Sequence, residues 1–183
     1  MLFNSWQFVF LFLPITSLVF FQIGRSRKSK FALAWLVAAS LFFYGWWNPA
    51  YLGLLVFSII FNYTIGSAIS KQIHPILSPK LLLIIGVAAN LALIGYFKYE
   101  NFFASSLNQI LGTNIYLNKM LLPLAISFFT FEQIAYLVDV YKGETKENSF
   151  LNYCLFVTFF PRLIAGPIIR HQEVMPQFAN RSI

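Results

Sequence analysis

The sequence predicts an all-α, polytopic membrane protein with about six membrane helices and one amphipathic helix lying in the interface. Three observations carry this prediction. Of the 183 residues, 58% are hydrophobic and only 10% are charged, against about 25% charged in a soluble domain, and the mean hydropathy is +0.69. Several charge-free stretches reach the roughly 20 residues needed to cross a bilayer. The 13 Lys and Arg residues are concentrated in short connections between these stretches, the pattern of the positive-inside rule. The net charge of +7 therefore points to a membrane surface. No basic run interleaves with aromatics on a solvated face, so nucleic acid is not a partner.

Residues 1–24 carry no charged side chain, and "WQFVFLFLPITSLVFFQI" is long enough to span. The basic cluster Arg25, Arg27, Lys28 and Lys30 follows the apolar run, where a signal peptide would place it before. From 31 to 70 there is no Asp, Glu, Lys or Arg, and "WWNPA" interrupts the stretch with an Asn-Pro turn beside interfacial tryptophans. This predicts a helical hairpin over 31–47 and 50–70. "KQIHPILSPK" is a polar loop, and its His74 reads as solvated.

A fourth span covers 81–97. In the segment that follows, Tyr99, Phe102, Phe103, Leu107, Ile110 and Leu111 recur at helical spacing opposite Glu100, Asn101, Ser105, Asn108 and Gln109. That division predicts an amphipathic helix in the interface. A fifth span is expected over 120–141, with Pro123 in its first turn. After "KGETKENS", Asn148 or Ser149 is placed to cap a sixth apolar run over 150–169. Pro161 and Gly166-Pro167 predict that this last helix is kinked or broken. Loop charge puts 25–30, 71–80 and 142–149 in the cytoplasm, and the N-terminus, 48–50 and 98–119 outside.

Ionisable groups inside membrane segments are costly and mark function or buried pairs. Glu132, Tyr136 and Asp139, spaced i, i+4, i+7, share one stripe of the fifth span. Arg162 and Arg170 are natural partners, and Lys142 is a local alternative for Asp139. The stripe reads either as ion pairs locking helices together or as the wall of a polar tunnel. Asn62 and Gly66, also i, i+4, suggest a close helix-packing site. No nucleophile elbow, zinc motif or Walker loop occurs, so no catalytic residue and no metal ligand is assigned. His171 lies in a polar tail with no Ser or Cys partner and is a weak candidate. The single cysteine, Cys154, reads as a buried structural thiol.

Three stretches, "LFFYGWWNPAYLGLLVFSIIFNYTIG" (41–66), "LPLAISFFTFEQIAYLVDVYKGE" (122–144) and "FFPRLIAGPIIRHQEVMPQF" (159–178), together resemble the membrane-bound O-acyltransferase family, and within it the branch of the bacterial alginate O-acetyltransferase membrane subunit. Ala125 stands where the family usually has Gly, Glu132 where Gln is common, and Arg162 where Gln or Lys is common. The last two departures suggest a compensating ion pair. The resemblance implies that 1–183 is the N-terminal part of a single membrane domain whose C-terminal half, carrying the family's buried histidine, is absent. It also implies a bacterial inner-membrane location. A thioester donor (acetyl-CoA or an acyl carrier protein) on the cytoplasmic side would give an acyl group to a hydroxyl of an exported polysaccharide such as alginate, directly or through a periplasmic partner protein. Glu132, Tyr136, Asp139, Arg162 and Arg170 would then belong to scaffold or tunnel wall. Two other readings remain at this stage, a transporter segment and a non-catalytic membrane scaffold.

Overall fold

The computed structural model describes residues 3–25, 29–71, 78–112, 121–145, 149–163 and Gly166. Every element among them is a helix: a π-helical turn at Phe8–Phe12, then α1 (Leu13–Arg25), α2 (Ser29–Trp47), α3 (Pro49–Lys71), α4 (Pro79–Leu111), α5 (Ile126–Tyr141), α6 (Phe150–Thr158) and α7 (Phe160–Leu163). The π turn sits directly before Pro14, and the Leu13 N–H reaches back to the Phe8 carbonyl. Pro14 has no N–H and crowds the preceding turn, and widening that turn accommodates the ring.

Four described segments have the length and composition of a membrane span: Phe8–Arg25, Lys30–Trp47, Pro49–Lys71 and Pro79–Glu100. With exposed Phe10, Phe21, Phe31, Phe42, Phe57 and Ile84 along them, the chain is a multi-pass membrane protein. The expected hairpin turns at Asn48, whose Oδ1 accepts from the Ala50 N–H at 3.0 Å, with Pro49 opening α3 where its missing N–H has no consequence. Ser78 caps α4 through the Leu81 N–H (3.3 Å) ahead of Pro79. Of the two cap candidates for the sixth run, Ser149 accepts from the Asn152 N–H at 3.4 Å, and Asn148 lies outside the described residues.

Two expectations differ from the structure. The segment 98–111 is no separate interfacial helix but the continuation of α4, which runs unbroken for 33 residues to a left-handed Gly112. Nothing near Lys98 ends a helix, and an amphipathic pattern does not reveal whether the preceding helix has stopped. At about 1.5 Å per residue α4 is roughly 50 Å long. The fifth helix starts at Ile126, not near 120, so Pro123 precedes it. Residues 121–123 are non-helical, and their junction with α5 is Ala125 at φ 58°, ψ 18°. Tyrosine hydroxyls hold this non-helical stretch: Tyr44 donates to the Leu124 carbonyl at 3.0 Å, and Tyr51 to the Leu121 carbonyl. Consequently α5 has 16 residues, and α6, which ends ahead of Phe159, has nine, both shorter than the spans expected for them.

Although short, α5 lies at the centre. It packs on α3, α4 and α6, and Phe129, Tyr136 and Leu137 enter the main apolar cluster with Leu55, Tyr153 and Leu155. Gly86 lets α4 approach, since a Cβ there would meet Leu137 Cδ1 at 2.5 Å. A second cluster of Phe8, Phe12, Ala39, Phe43 and Phe160 ties the N-terminal helix and α2 to α7, with the Phe12 and Phe160 rings edge to face at 5.1 Å.

Candidate functional site

The left-handed turn at Ala125 fixes the rotation of α5, and with it which side chains enter the interior. Glu132 and Gln133 are fully buried, Tyr136 is 1% exposed and Asp139 4%. The polar stripe expected from its spacing thus faces protein.

On the side toward α3 and α4 is a chain of amides. Ser58 Oγ donates to Gln133 Oε1 at 2.7 Å, and Asn62 Nδ2 donates to the same oxygen. Asn62 and Asn90 are reciprocal: Asn90 Nδ2 donates to Asn62 Oδ1 at 2.6 Å, and Asn62 Nδ2 to Asn90 Oδ1 at 3.3 Å. Both amides also donate to their own helices, Asn62 to the Ser58 carbonyl (2.9 Å) and Asn90 to the Gly86 carbonyl (2.8 Å). Three helices are therefore joined by side-chain amides in an apolar setting, as membrane helices often are. One turn along α3, Gly66 receives the Tyr136 ring: a Cβ there would lie 2.6 Å from Tyr136 Cε1. The Asn62–Gly66 pair is thus a close helix-packing site, as its spacing suggested.

Toward α6 and α7 the seam becomes charged. Arg162 Nη2 is ion-paired with Glu132 Oε1, and both residues are buried. The same nitrogen donates to the Phe156 carbonyl at 2.9 Å, and the guanidinium carbon lies 4.8 Å from the Phe156 ring centroid. Tyr153 stacks obliquely on Tyr136 with centroids 4.4 Å apart. Glu132 Oε2, Arg162 Nε and Nη1, the Tyr153 hydroxyl and Gln133 Nε2 are buried with no hydrogen-bond partner among the described residues. Burying such groups is costly unless something polar meets them. Asp139 sits at the far end of the stripe, where its backbone carbonyl accepts from the Glu144 N–H at 2.9 Å.

Of the five residues picked from the sequence, Glu132, Tyr136 and Arg162 meet in this seam. Arg170 lies outside the described residues, as do His171 and His74. Sequence reasoning missed Ser58, Asn90, Gln133 and Tyr153. A signal existed for two of them: Ser58, Asn62 and Gly66 repeat at four-residue intervals, as do Gly86 and Asn90. Among the described residues no group of three or more His, Cys, Asp or Glu is placed to hold a metal. Cys154 is buried in α6.

The comparisons with known proteins bear on what the seam serves. No protein-family model matches the chain. No solved structure matches it either. Across its whole length it is 44% identical to a peptidoglycan O-acetyltransferase of Helicobacter pylori. It is 38% and 37% identical to probable alginate O-acetylases AlgI of Pseudomonas aeruginosa and Pseudomonas putida, again over all of this chain. The chain spans between 35% and 39% of the length of these curated relatives. The chain is thus a helical membrane scaffold with a buried polar seam, similar over its whole length to a little more than a third of each of three O-acetyltransferases.

Proposed function

We propose that the chain is part of an enzyme that moves an acyl group, acetyl by its relatives' names, from a thioester donor to a hydroxyl of an exported polysaccharide. The observation that carries this is the whole-chain similarity to acetylases of two different glycans, alginate and peptidoglycan. What those acceptors share is a sugar hydroxyl. In the reaction the hydroxyl oxygen attacks the thioester carbonyl. The C–O bond forms, the C–S bond breaks, the hydroxyl proton passes to a base, and the thiol leaves.

The donor, acetyl-CoA or an acyl carrier protein, would reach the protein from the cytoplasm. The acceptor would be the glycan or a periplasmic partner protein that passes the group on. We place the chain in the bacterial inner membrane with its N-terminus outside the cytoplasm, on the strength of its loop charges. Glu132, Tyr136, Asp139 and Arg162 would serve as scaffold and tunnel wall. The unpartnered buried atoms beside Glu132 and Arg162 support a polar path at that place. The chain's two histidines, His74 and His171, both lie in polar stretches, so neither is assigned the proton transfer, and residues 1–183 alone are expected to be inactive.

Deleting the gene in its own cells and assaying base-labile acetate on each exported glycan tests the reading. One polymer should lose its O-acetyl groups and regain them on complementation. Unchanged acetylation of every glycan would refute it.

A further inference from the structure

The apolar run that begins at Phe150 breaks at Phe159, where the backbone takes φ −50°, ψ 105°. Pro161 causes the break: it has no N–H for the Val157 carbonyl, and its ring would collide with it. A break buried in the protein, as Phe156 and Phe160 are, frees backbone groups that neither lipid nor water can satisfy. Here side chains satisfy two of them. The Phe160 N–H, which would have bonded the Phe156 carbonyl, donates to Ser40 Oγ of α2 at 3.2 Å. The Phe156 carbonyl accepts from Arg162 Nη2 at 2.9 Å, and Glu132 neutralises that guanidinium from α5. The Arg162 carbonyl in turn accepts from the Gly166 N–H at 2.9 Å. Gly166 lies flat on Arg162: a Cβ there would stand 2.8 Å from Arg162 Cα and 2.9 Å from its carbonyl oxygen. The Arg162 side chain thus reaches back across the break to hold the carbonyl that the break set free, which an ion pair that merely joined two helices would not require.

We propose that Arg162 is a positioning residue for acyl transfer. Acting through the Phe156 carbonyl, its side chain sets the course of the backbone at the break between α6 and α7, and so the wall of the path the acyl group follows. The proposal rests on the acyl-transfer reading. Two observations carry it. Irregular backbone at membrane depth persists where it is buried in protein or lines a polar cavity. Buried donors and an acceptor without partners among the described residues, Arg162 Nε and Nη1, the Tyr153 hydroxyl and Glu132 Oε2, lie at this break.

The test compares two variants in the full chain as cells make it. In R162K, the long ammonium side chain can still donate to the Phe156 carbonyl and pair with Glu132. In E132Q/R162M, an unbranched side chain remains, no buried charge is left unpaired, and the donor is lost. Transfer by the first should stay within about threefold of wild type, while kcat of the second falls at least about tenfold with the donor KM unchanged. Amide exchange at Gly166 should quicken in the second variant only, with α6 still protected. Equal activity of the two variants, or unchanged Gly166 exchange, would overturn the role. A wild type without acyl transfer would overturn the functional reading and this role with it.

Discussion

The reciprocal amide pair gives the sharpest energetic prediction. Replacing Asn62 by Ala removes both bonds with Asn90 and the bond to Gln133. Asn90 Nδ2 keeps the Gly86 carbonyl and Gln133 Oε1 keeps Ser58 Oγ, so the one acceptor stranded is Asn90 Oδ1. A stranded buried acceptor costs about 1–3 kcal/mol, and an interhelical bond in a membrane protein contributes about 0.6 kcal/mol on average. Asn62→Ala should therefore lose about 2–3 kcal/mol. Asn90→Ala strands Asn62 Oδ1 in the same way and should cost about as much. Because each substitution removes the other's partner, the double variant should fall short of the sum by about 1 kcal/mol. Equilibrium unfolding in mixed detergent micelles, with all four proteins compared, measures this. Additivity within about 0.3 kcal/mol would refute a direct amide pair.

Three further outcomes are expected from the same unfolding measurement. Reversing either Glu132 or Arg162 alone leaves like charges buried and should cost at least about 3–5 kcal/mol. The swap E132R/R162E should recover only part of this, because a carboxylate at position 162 cannot donate to the Phe156 carbonyl; full recovery would mean that charge alone matters. Ala125→Gly relieves a left-handed backbone and should stabilise by about 0.5–1 kcal/mol, and a loss of stability would contradict that conformation. Gly66→Ala forces a methyl against Tyr136, whose ring is backed by Tyr153, and should cost about 1–3 kcal/mol.

Much of the architecture was legible because its signals are local. Absence of charge marked the spans, Asn48-Pro49 marked the hairpin, and Pro161 marked the broken helix. The pairing of Glu132 with Arg162 was legible for a different reason: two charges in apolar segments have few places to go. What stayed hidden depends on tertiary facts. Ala125 carries no mark of its left-handed backbone, and that backbone decides where α5 begins. The fusion of 98–111 onto α4 leaves no trace in periodicity. Asn90 and Gln133 are ordinary polar residues until three helices bring them within 3.5 Å of their partners.

The reading of this chain as part of a glycan O-acetylase is tested most directly in sealed membrane vesicles of defined orientation from cells carrying the gene. Labelled acetyl thioester is supplied to one face, and base-labile acetyl esters are counted on glycan at the other. The account predicts labelled esters with donor on the cytoplasmic face, and none from membranes lacking the gene. Equal labelling with and without the gene would contradict it.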